Sequence, residues 1–451
     1  MTAQVSIIGG GLAGCEAALQ LARRGVAVRL YEMRPETPTP VHRTGSLAEL
    51  VCSNSLKARR FDSAAGLLKR ELVVLGSELL SCALTAQVPA GGALAVDRER
   101  FSEEVTERIA AEPLITVIRR EVTELPRGPV IVAAGPLASP ALTELVSTLV
   151  GAPSLAFYDA AAPIVEADSI DRSRVFAQSR YDAGDDDYLN APFDRDGYER
   201  FISELVGAQR VIVRDFERRE LFSACQPVEE VARTGVDALR YGALKPVGLT
   251  DPSTGRRPWA AVQLRAENRA LTAYNLVGFQ TNLTWPEQDR VFRLIPGLEH
   301  AVFSRYGVMH RNTFIDTPHA LTRTLALPTR PEVRFAGQIT GTEGYCEAIA
   351  SGLYAALCTY ADMIGVPAPT LPGDTAFGSL LAYATDPATQ DYQPMHVNFG
   401  IFPPLGRRIK GKRDRYAAYS RRAQESLATY LQTRPDLGIL PFSGDAGALD
   451  A

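Results

Sequence analysis

Length, composition and charge place this chain among ordinary globular proteins with more than one domain. Its 451 residues are about three times the usual length of one domain, and 46% hydrophobic with 22% charged residues exclude a disordered or fibrous protein. A net charge of −4 excludes a global attraction to nucleic acid, so any RNA contact must come from a local basic patch.

No segment is typical of export, membrane insertion or metal binding. The first residues lead directly into an apolar strand at residues 5–8, and no apolar run reaches about 18 residues. The six cysteines lie far apart, without a C-x-x-C pair or a histidine at metal-ligand spacing. We therefore expect a cytoplasmic protein without a membrane segment, a bound metal or a disulfide framework.

The chain opens with a pattern typical of a βαβ unit. The strand at residues 5–8 precedes a glycine turn, an Ala- and Leu-rich helix that continues through Arg24, and a second strand at residues 26–31. A short apolar run at residues 130–135, which ends in glycine, predicts another parallel strand of the same sheet.

The middle of the chain differs from the flanking segments in its residue composition and in its pattern of polar and apolar residues. Between about Tyr158 and Leu325, polar stretches, an acidic run at residues 185–187 and alternation at residues 260–265 predict a mixed domain with antiparallel strands. Another buried strand that ends in glycine follows at residues 333–337, before a predicted helix. The predicted domains are residues 1–157 and 326–441 for the first, residues 158–325 for an insertion, and residues 442–451 for a flexible tail.

The glycine turn matches the dinucleotide-binding fingerprint. Gly9, Gly10, Gly11, Leu12, Ala13 and Gly14 fit G-x-G-x-x-G between a strand and a helix, and Glu32 ends the next strand. The glycines permit a tight turn and close approach of a pyrophosphate, and Glu32 accepts hydrogen bonds from ribose hydroxyls. The motif alone leaves FAD and NAD open; the second glycine-ended strand, at residues 335–338, favours FAD by analogy.

Two cysteines lie among small or polar residues in predicted loops. Cys52 is in the segment LVCSNSL at residues 50–56, and Cys225 is in FSACQPVEE at residues 222–230. A lone cysteine is more often a buried apolar residue than a reactive one, so residue type alone does not assign either thiol a function.

Long segments spread over nearly the whole chain resemble the folate- and FAD-dependent tRNA uracil-5 methyltransferases, the TrmFO family. Besides the two cysteine segments, they are residues 9–16 (GGGLAGCE), 31–35 (YEMRP), 239–249 (LRYGALKPVGL), 262–268, 275–283, 305–313 and 337–345 (GQITGTEGY). Ala243-Leu244 replaces the family's Pro-Met pair, at no residue assigned to chemistry. The related MnmG (GidA) family shares the glycine motif, but this chain lacks room for its C-terminal helical domain.

The resemblance implies an α/β fold: a Rossmann-like FAD-binding domain of the glutathione-reductase type with an inserted mixed α/β domain. It implies methylation of carbon 5 of the T-loop uridine (position 54) of tRNA. The one-carbon donor would be 5,10-methylenetetrahydrofolate, reduced FAD the carrier and hydride source, and NADPH or NADH the reductant. Two alternatives are MnmG-type modification of the wobble uridine and a flavin-containing RNA-binding or folding factor in which turnover is secondary.

The chemistry calls for a cysteine, because a thiolate that adds to carbon 6 of uracil turns carbon 5 into a nucleophile. The resemblance assigns Cys225 as this nucleophile and Cys52 as its partner, which assists removal of the carbon-5 proton or protects the nucleophile. Lys245 and Arg265 are candidates for lowering the pKa of the thiol and for contacting the substrate.

The remaining site residues are predicted for the cofactor and for RNA. The resemblance places Arg34, Gly337 and Gln338 with the glycine motif and Glu32 around FAD, and Tyr345 near its isoalloxazine ring. The run from Arg407 to Tyr416 has six basic residues against one acidic, with Tyr416 and Tyr419 available for stacking. The candidate tRNA contacts in this run are Arg407, Arg408, Lys410 and Lys412. His310 and Arg311 are assigned no catalytic role.

Overall fold

The computed structural model describes residues 4–39, 41–152, 155–180, 187–212, 226–389 and 392–449. Within these ranges, the side chains of residues 156–158, 310 and 311 are not described. Cys225, most of the acidic run at residues 185–187, and the side chains of His310 and Arg311 therefore lie outside the described part of the chain.

The first sheet has six strands and forms the dinucleotide-binding half of the fold. All neighbouring strands are parallel except for one antiparallel pair at an edge. Its inner strands are buried on both faces, which explains their continuous apolar runs. In spatial order the strands are β16 (Ala326–Leu327), β17 (Arg330–Phe335), β7 (Val130–Val132), β1 (Gln4–Ile8), β2 (Ala27–Glu32) and β6 (Ile115–Arg119).

Helices pack around this sheet and close its core. Helix α1 (Leu12–Ala22) lies against α11 (Tyr345–Ile364), and the contact is close because a Cβ on Gly352 would meet the carbonyl oxygen of Ala13. The other helices of this half are α2 (Ala64–Val74), α3 (Glu78–Thr85), α4 (Arg98–Ala111), α5 (Pro140–Val150), α12 (Ala376–Ala384) and α13 (Lys412–Gln432). A small antiparallel sheet lies beside them: β3 (Ser55–Ala58), β5 (Ala93–Val96) and β4 (Gln87–Val88).

The second sheet is antiparallel throughout and has its own core. Aromatic side chains of Phe193, Phe201, Phe279 and Phe292 are buried in that core. In spatial order its strands are β10 (Phe176–Ala177), β11 (Tyr188–Phe193), β12 (Ala260–Ala266), β13 (Ala273–Leu276), β9 (Ile164–Glu166) and β14 (Phe303–Arg305). The helices between these strands are α6 (Arg195–Gly207), α7 (Val228–Arg233), α8 (Ala238–Tyr241) and α9 (Trp285–Phe292).

A two-stranded ribbon carries the chain between the two sheets. It pairs β8 (Leu155–Ala160) with β15 (Met309–Phe314) in antiparallel register, and the short helix α10 (Thr317–Ala320) follows. Short 3₁₀ helices occur at Ala167–Ser169, Gln338–Thr340, Pro435–Leu437 and Ala446–Leu449. The outgoing and returning segments thus lie side by side, although the domain boundaries at 157 and 325 stay a prediction.

The C-terminal segment is not the detached tail that its Gly, Ala and Asp content predicts. Leu449 is only 4% exposed and packs into the core of the first half. The guanidinium of Arg59 also donates a hydrogen bond to the carbonyl oxygen of Ala448. Composition alone did not reveal that one leucine has a place in the core. Over the described helices, none is long and apolar enough to cross a membrane.

A buried carboxyl on α2 predicts how stability changes with pH. Glu71 is 2% exposed and accepts hydrogen bonds from the N–H groups of Ala376 (2.6 Å) and Phe377 at the start of α12. Burial raises the pKa of Glu71 to about 8, above its ordinary value of 4.5. The proton on the Glu71 carboxyl group therefore makes its full contribution to the unfolding free energy below about pH 4.5, and this contribution is lost as the pH rises through 8.

In wild type, the unfolding free energy should fall as the pH rises from 5 to 8. We expect Glu71→Gln to make this slope less steep by as much as the contribution of one proton, which is about 1.4 kcal/mol per pH unit. Urea unfolding at several pH values with excess FAD would measure this slope. The exposed Glu425, changed to Gln, serves as the control. Equal slopes in Glu71→Gln and wild type would contradict the neutral state of Glu71.

Candidate active site

The glycine turn between β1 and α1 has the geometry that a dinucleotide site requires. Gly9 has a φ of +108°, and a Cβ there would meet the carbonyl oxygen of Ala133. A Cβ on Gly14 would meet the carbonyl oxygen of Gly9. At Gly11, which caps the helix, a Cβ would meet nothing within 4 Å. The N–H groups of the first turn of α1 therefore face open space in which a pyrophosphate fits.

Glu32 is held in place beside this turn by backbone and side-chain donors. Its Oε2 accepts a hydrogen bond from the N–H of Gly10 (2.9 Å), and its Oε1 accepts from the backbone and Nε of Arg34 (both 2.9 Å). Arg34 also pairs with Glu49 at 3.0 Å. Burial alone would raise the pKa of Glu32, but the Arg34 charge and these hydrogen bonds lower it below its usual value. Glu32 is thus ionised and Arg34 fixes its orientation, while its contact with ribose hydroxyls stays a prediction.

One cavity joins this turn to a cysteine. Most of the predicted cofactor residues line it: Gly9, Gly11, Leu12, Ala13, Glu32, Arg34, Gly337, Gln338 and Tyr345. Gly10 and Gly14 do not, because they are buried inside the turn itself. Cys52 lines the same cavity. A long dinucleotide that begins at Glu32 would therefore extend toward the thiol.

Tyr345 holds the Cys52 loop (residues 50–55) from the first turn of α11. Its hydroxyl accepts a hydrogen bond from the N–H of Cys52 (3.0 Å) and donates one to the carbonyl oxygen of Ser53 (2.9 Å). The Cys52 Sγ itself lies 3.6 Å from the carbonyl oxygen of Ala160, in the ribbon between the sheets. Residues almost 300 positions apart thus meet at the thiol end of the cavity.

Two arginines that the sequence analysis did not identify hold the carbonyl groups of this loop. Arg98, at the start of α4, donates to the carbonyl oxygens of Leu50 and Cys52, each at 3.0 Å, and Arg305 donates to that of Val51 at 2.9 Å. Burial opposes the charge of Arg98, but its ion pair with Glu267 (2.7 Å) raises its pKa. Burial lowers the pKa of Arg305 to about 10, so it also stays charged at neutral pH. Two charged guanidinium groups therefore hold the backbone of the Cys52 loop in place.

Known proteins resemble this chain over nearly all of its length. The family model of Glucose inhibited division protein A matches residues 4–365. The methylenetetrahydrofolate--tRNA-(uracil-5-)-methyltransferase TrmFO of Heliobacterium modesticaldum is 54% identical over 428 residues, which cover 95% of this chain and 98% of that protein. The TrmFO of Geobacter sulfurreducens is 54% identical over 435 residues, which cover 96% and 100%. The chain belongs to the TrmFO family.

A solved structure confirms the predicted fold class. Aquifex aeolicus GidA, in its form I crystal, superposes with a TM-score of 0.68 at 17% sequence identity, covering 97% of this chain and 76% of that one. At this identity the likeness concerns the fold alone. Membership in the TrmFO family likewise confirms the resemblance inferred from the sequence segments.

Arg265 has a different place in this TrmFO-family fold from the one predicted. It is 6% exposed on β12, and its Nε donates to the Oδ1 of Asn54 at 2.8 Å. Asn54 in turn donates to the carbonyl oxygens of Val96 and Ala266, each at 3.0 Å. Arg265 therefore joins the second sheet to the Cys52 loop and is too buried to contact a large substrate. The alternation of polar and apolar residues at 260–265 predicted a strand, but it could not show which face of that strand contacts the loop.

The predicted RNA residues lie on the surface, away from the lining of the cavity. Arg407, Arg408, Lys410 and Lys412 are exposed before and at the start of α13, and Lys245 is half-buried after α8. Tyr416 and Tyr419 are half-buried, and their rings pack against Phe399 with centroids 4.6 and 5.4 Å away. The contact of the four basic residues with tRNA stays a prediction.

Cys225 lies outside the described residues, but the chain on both sides of its segment is anchored at one place. On one side, the N–H of Val211 donates to the carbonyl oxygen of Asn282 at 2.8 Å. On the other side, the N–H of Val228 donates to the carbonyl oxygen of Gln280 at 2.7 Å. The described chain on the two sides of residues 213–225 is thus bonded to Asn282 and Gln280, which are two positions apart in the second half.

Glu343 is a further cavity residue that the sequence analysis did not assign. It lines the cavity beside Gln338, whose amide donates to its carboxyl group. Burial, and then the charge of Asp159, raise the pKa of Glu343 to about 8. Glu343 is therefore mostly protonated at neutral pH and can itself donate a hydrogen bond into the cavity. Among the described residues, no group of three or more His, Cys, Asp or Glu side chains could hold a metal.

Proposed function

We propose that this protein methylates carbon 5 of the T-loop uridine (position 54) of tRNA with 5,10-methylenetetrahydrofolate as the one-carbon donor. The observation that carries this proposal is the position of Cys52 in the cavity that begins at the dinucleotide turn. Relatives named methylenetetrahydrofolate--tRNA-(uracil-5-)-methyltransferase, at 54% identity over nearly the whole chain, support the same reaction.

The cavity fits FAD as the resident cofactor. The first turn of α1 would hold its pyrophosphate, Glu32 its ribose, and Gly337, Gln338 and Tyr345 surround the end near the thiol. When bound and reduced by NADPH or NADH, FAD supplies the carrier for the one-carbon unit and the hydride that completes the methyl group.

The residues of the chain then have separate tasks. Cys225 supplies the thiolate that adds to carbon 6 of uracil, after which carbon 5 can attack an electrophilic one-carbon unit. Cys52 assists removal of the proton from carbon 5 or protects the nucleophile. Arg98 and Arg305 fix the backbone of the Cys52 loop and so position its thiol in the cavity. A tRNA substrate also implies a cytoplasmic location.

A labelling experiment tests the reaction and the nucleophile together. Purified protein is incubated with unmodified tRNA transcript, NADPH and methylenetetrahydrofolate labelled in its one-carbon unit, and the digested RNA is analysed for labelled 5-methyluridine. We expect label with wild type, at least about 1000-fold less with Cys225→Ala, and a large loss with Cys52→Ala, because each removes a thiol that the chemistry uses.

Cys82→Ala is the matched control, since this thiol is buried in α3 and burial raises its pKa to about 12. It should retain wild-type labelling. Absence of label in wild type with bound, reducible FAD would rule out methyl transfer from folate and leave wobble-uridine modification or an RNA-folding role. Full labelling by Cys225→Ala would refute its assignment as nucleophile.

A further inference from the structure

Three aromatic rings form a stack on the surface beside the second sheet. The ring of Trp285 lies 5.3 Å from that of Tyr306 at an interplanar angle of 14°, and the ring of Tyr306 lies 5.5 Å from that of Phe303 at 20°. Phe303 continues to Phe292 in the core of the second sheet, at 6.4 Å. Trp285 is 59% exposed, so the outer end of this aromatic stack faces solvent on a rigid support.

The stack lies next to the residues that position Cys52. Tyr306 directly follows Arg305, which donates to the carbonyl oxygen of Val51 in the Cys52 loop. Two residues after Tyr306, the carbonyl oxygen of Val308 accepts a hydrogen bond from the N–H of Ala161. Ala161 follows Ala160, whose carbonyl oxygen lies next to the Cys52 Sγ. With about 3.8 Å between consecutive Cα atoms, the backbone of Tyr306 is within about 8 Å of Val308.

The same stack adjoins the anchor of the segment that carries Cys225. The N–H of Thr284, immediately before Trp285, donates to the carbonyl oxygen of Gln209 at 3.0 Å. Asn282, two residues earlier, holds Val211 and Ile212 through its backbone and side chain. The residues just before Trp285 thus bond the chain that precedes the Cys225 segment, as the residue just before Tyr306 bonds the Cys52 loop.

The charges around the stack suit a phosphate backbone. Three nearby carboxylates have arginine partners: Asp289 pairs with Arg293 at 3.2 Å, and Glu287 (2.7 Å) and Glu204 both pair with Arg290. Arg43 is exposed and donates to the carbonyl oxygen of Ser304, and among the described residues its guanidinium has no acidic partner. The β14 edge thus presents an aromatic face and a positive charge that no carboxylate of the described chain neutralises.

We propose that the Trp285–Tyr306 stack receives an unpaired base of the tRNA substrate adjacent to the reacting uridine, while Arg43 contacts the backbone phosphate beside it. This inference rests on the proposed tRNA substrate and adds a recognition site that the family likeness does not supply. A target base leaves its stack to enter the active site, so its neighbour loses a stacking partner, and an exposed indole replaces it. Aromatic stacking of this kind tolerates any base, because every base has a π face.

Tryptophan fluorescence tests the stacking directly and does not depend on turnover. The chain has two tryptophans, and Trp259→Phe leaves Trp285 as the only one. We expect unmodified tRNA transcript to quench the emission of FAD-loaded Trp259→Phe protein saturably, and a fully paired RNA duplex at equal phosphate concentration not to do so. Binding of the tRNA, measured by filter retention, without any quenching would overturn the proposal, and so would equal quenching by the duplex.

Substitution gives an independent result. Trp285→Ala should raise the Kd and the KM for tRNA at least about tenfold with kcat little changed, whereas Trp285→Phe stays within about threefold because it keeps a stacking ring. Tyr241→Ala removes another exposed aromatic ring, 76% exposed on α8, and is the matched control. NADPH-dependent reduction of FAD without tRNA should be unchanged in all three. Loss of FAD reduction in Trp285→Ala with an unchanged Kd for tRNA would show a merely structural role.

The two proposals fail in distinguishable ways. If no methyl transfer occurs but tRNA still quenches Trp285, the recognition site stands and only the reaction is wrong. If label enters 5-methyluridine normally while quenching and the Trp285→Ala effect are both absent, the reaction stands and the recognition site is wrong.

Discussion

Replacing Gly11 with valine should give a folded but colourless protein, with an FAD affinity at least about 100-fold lower than wild type, or about 2.8 kcal/mol. At Gly11 a Cβ would meet no protein atom within 4 Å, so the chain tolerates the side chain. That open space is the region in which the cofactor pyrophosphate must approach the helix N-terminus, and the valine methyl groups would occupy it.

Gly14→Ala provides the contrast, because it should disturb the fold itself. A Cβ at Gly14 would overlap the carbonyl oxygen of Gly9, so strand and helix would have to separate. Flavin absorbance, titration of the apoprotein with FAD and thermal unfolding distinguish the two variants. Gly207→Ala, at the end of α6 with open space around it, is the control and should bind FAD normally. A yellow Gly11→Val protein with wild-type affinity would place the pyrophosphate elsewhere.

Replacing Arg98 with methionine should lower both the stability of the protein and its rate of methyl transfer. The change leaves the carboxylate of Glu267 buried at 7% exposure without its ionic partner, which costs about 3–5 kcal/mol. It also removes both hydrogen bonds from Arg98 to the Cys52 loop, and a catalytic loop that is misplaced by about 1 Å typically loses about 100-fold in rate.

A double variant separates these two effects of Arg98. Arg98→Met combined with Glu267→Gln removes the unpaired charge, so most of the stability should return, as measured by urea unfolding. The rate of 5-methyluridine formation should stay low, because the carbonyl oxygens of Leu50 and Cys52 still lack their donor. Recovery of the rate together with the stability would mean that Arg98 acts only through Glu267.

The parts of the fold and the site that could be predicted from the sequence are those with a local signature. The turn at Gly9 and Gly14 and the position of Glu32 follow from fixed spacing within one βαβ unit, and in the structure Glu32 lies beside this turn. The family resemblance assigned Cys52 and Tyr345 to the site separately, but their contact could not be predicted, since no periodicity relates two residues 293 positions apart.

The site residues that the sequence did not predict bind backbone atoms, or lie on a strand face that the alternation of polar and apolar residues does not specify. Arg98 and Arg305 bind carbonyl oxygens, which every residue possesses, so no sequence pattern marks their targets. Arg265 lies on a strand that was correctly expected, but its contact with Asn54 depends on how the two halves pack. The burial of Leu449 likewise depends on a tertiary contact that a Gly- and Ala-rich composition conceals.

The attachment of the Cys52 loop to both sheets has a thermodynamic consequence. Tyr345 holds the loop from the first half of the fold, and Arg265 and Arg305 hold it from the second. A loop bonded in this way cannot open while either half stays folded without leaving buried carbonyl groups unsatisfied. The two halves therefore belong to one cooperative unit, and a cofactor that binds in the cavity of the first half also protects the aromatic surface of the second half from local unfolding.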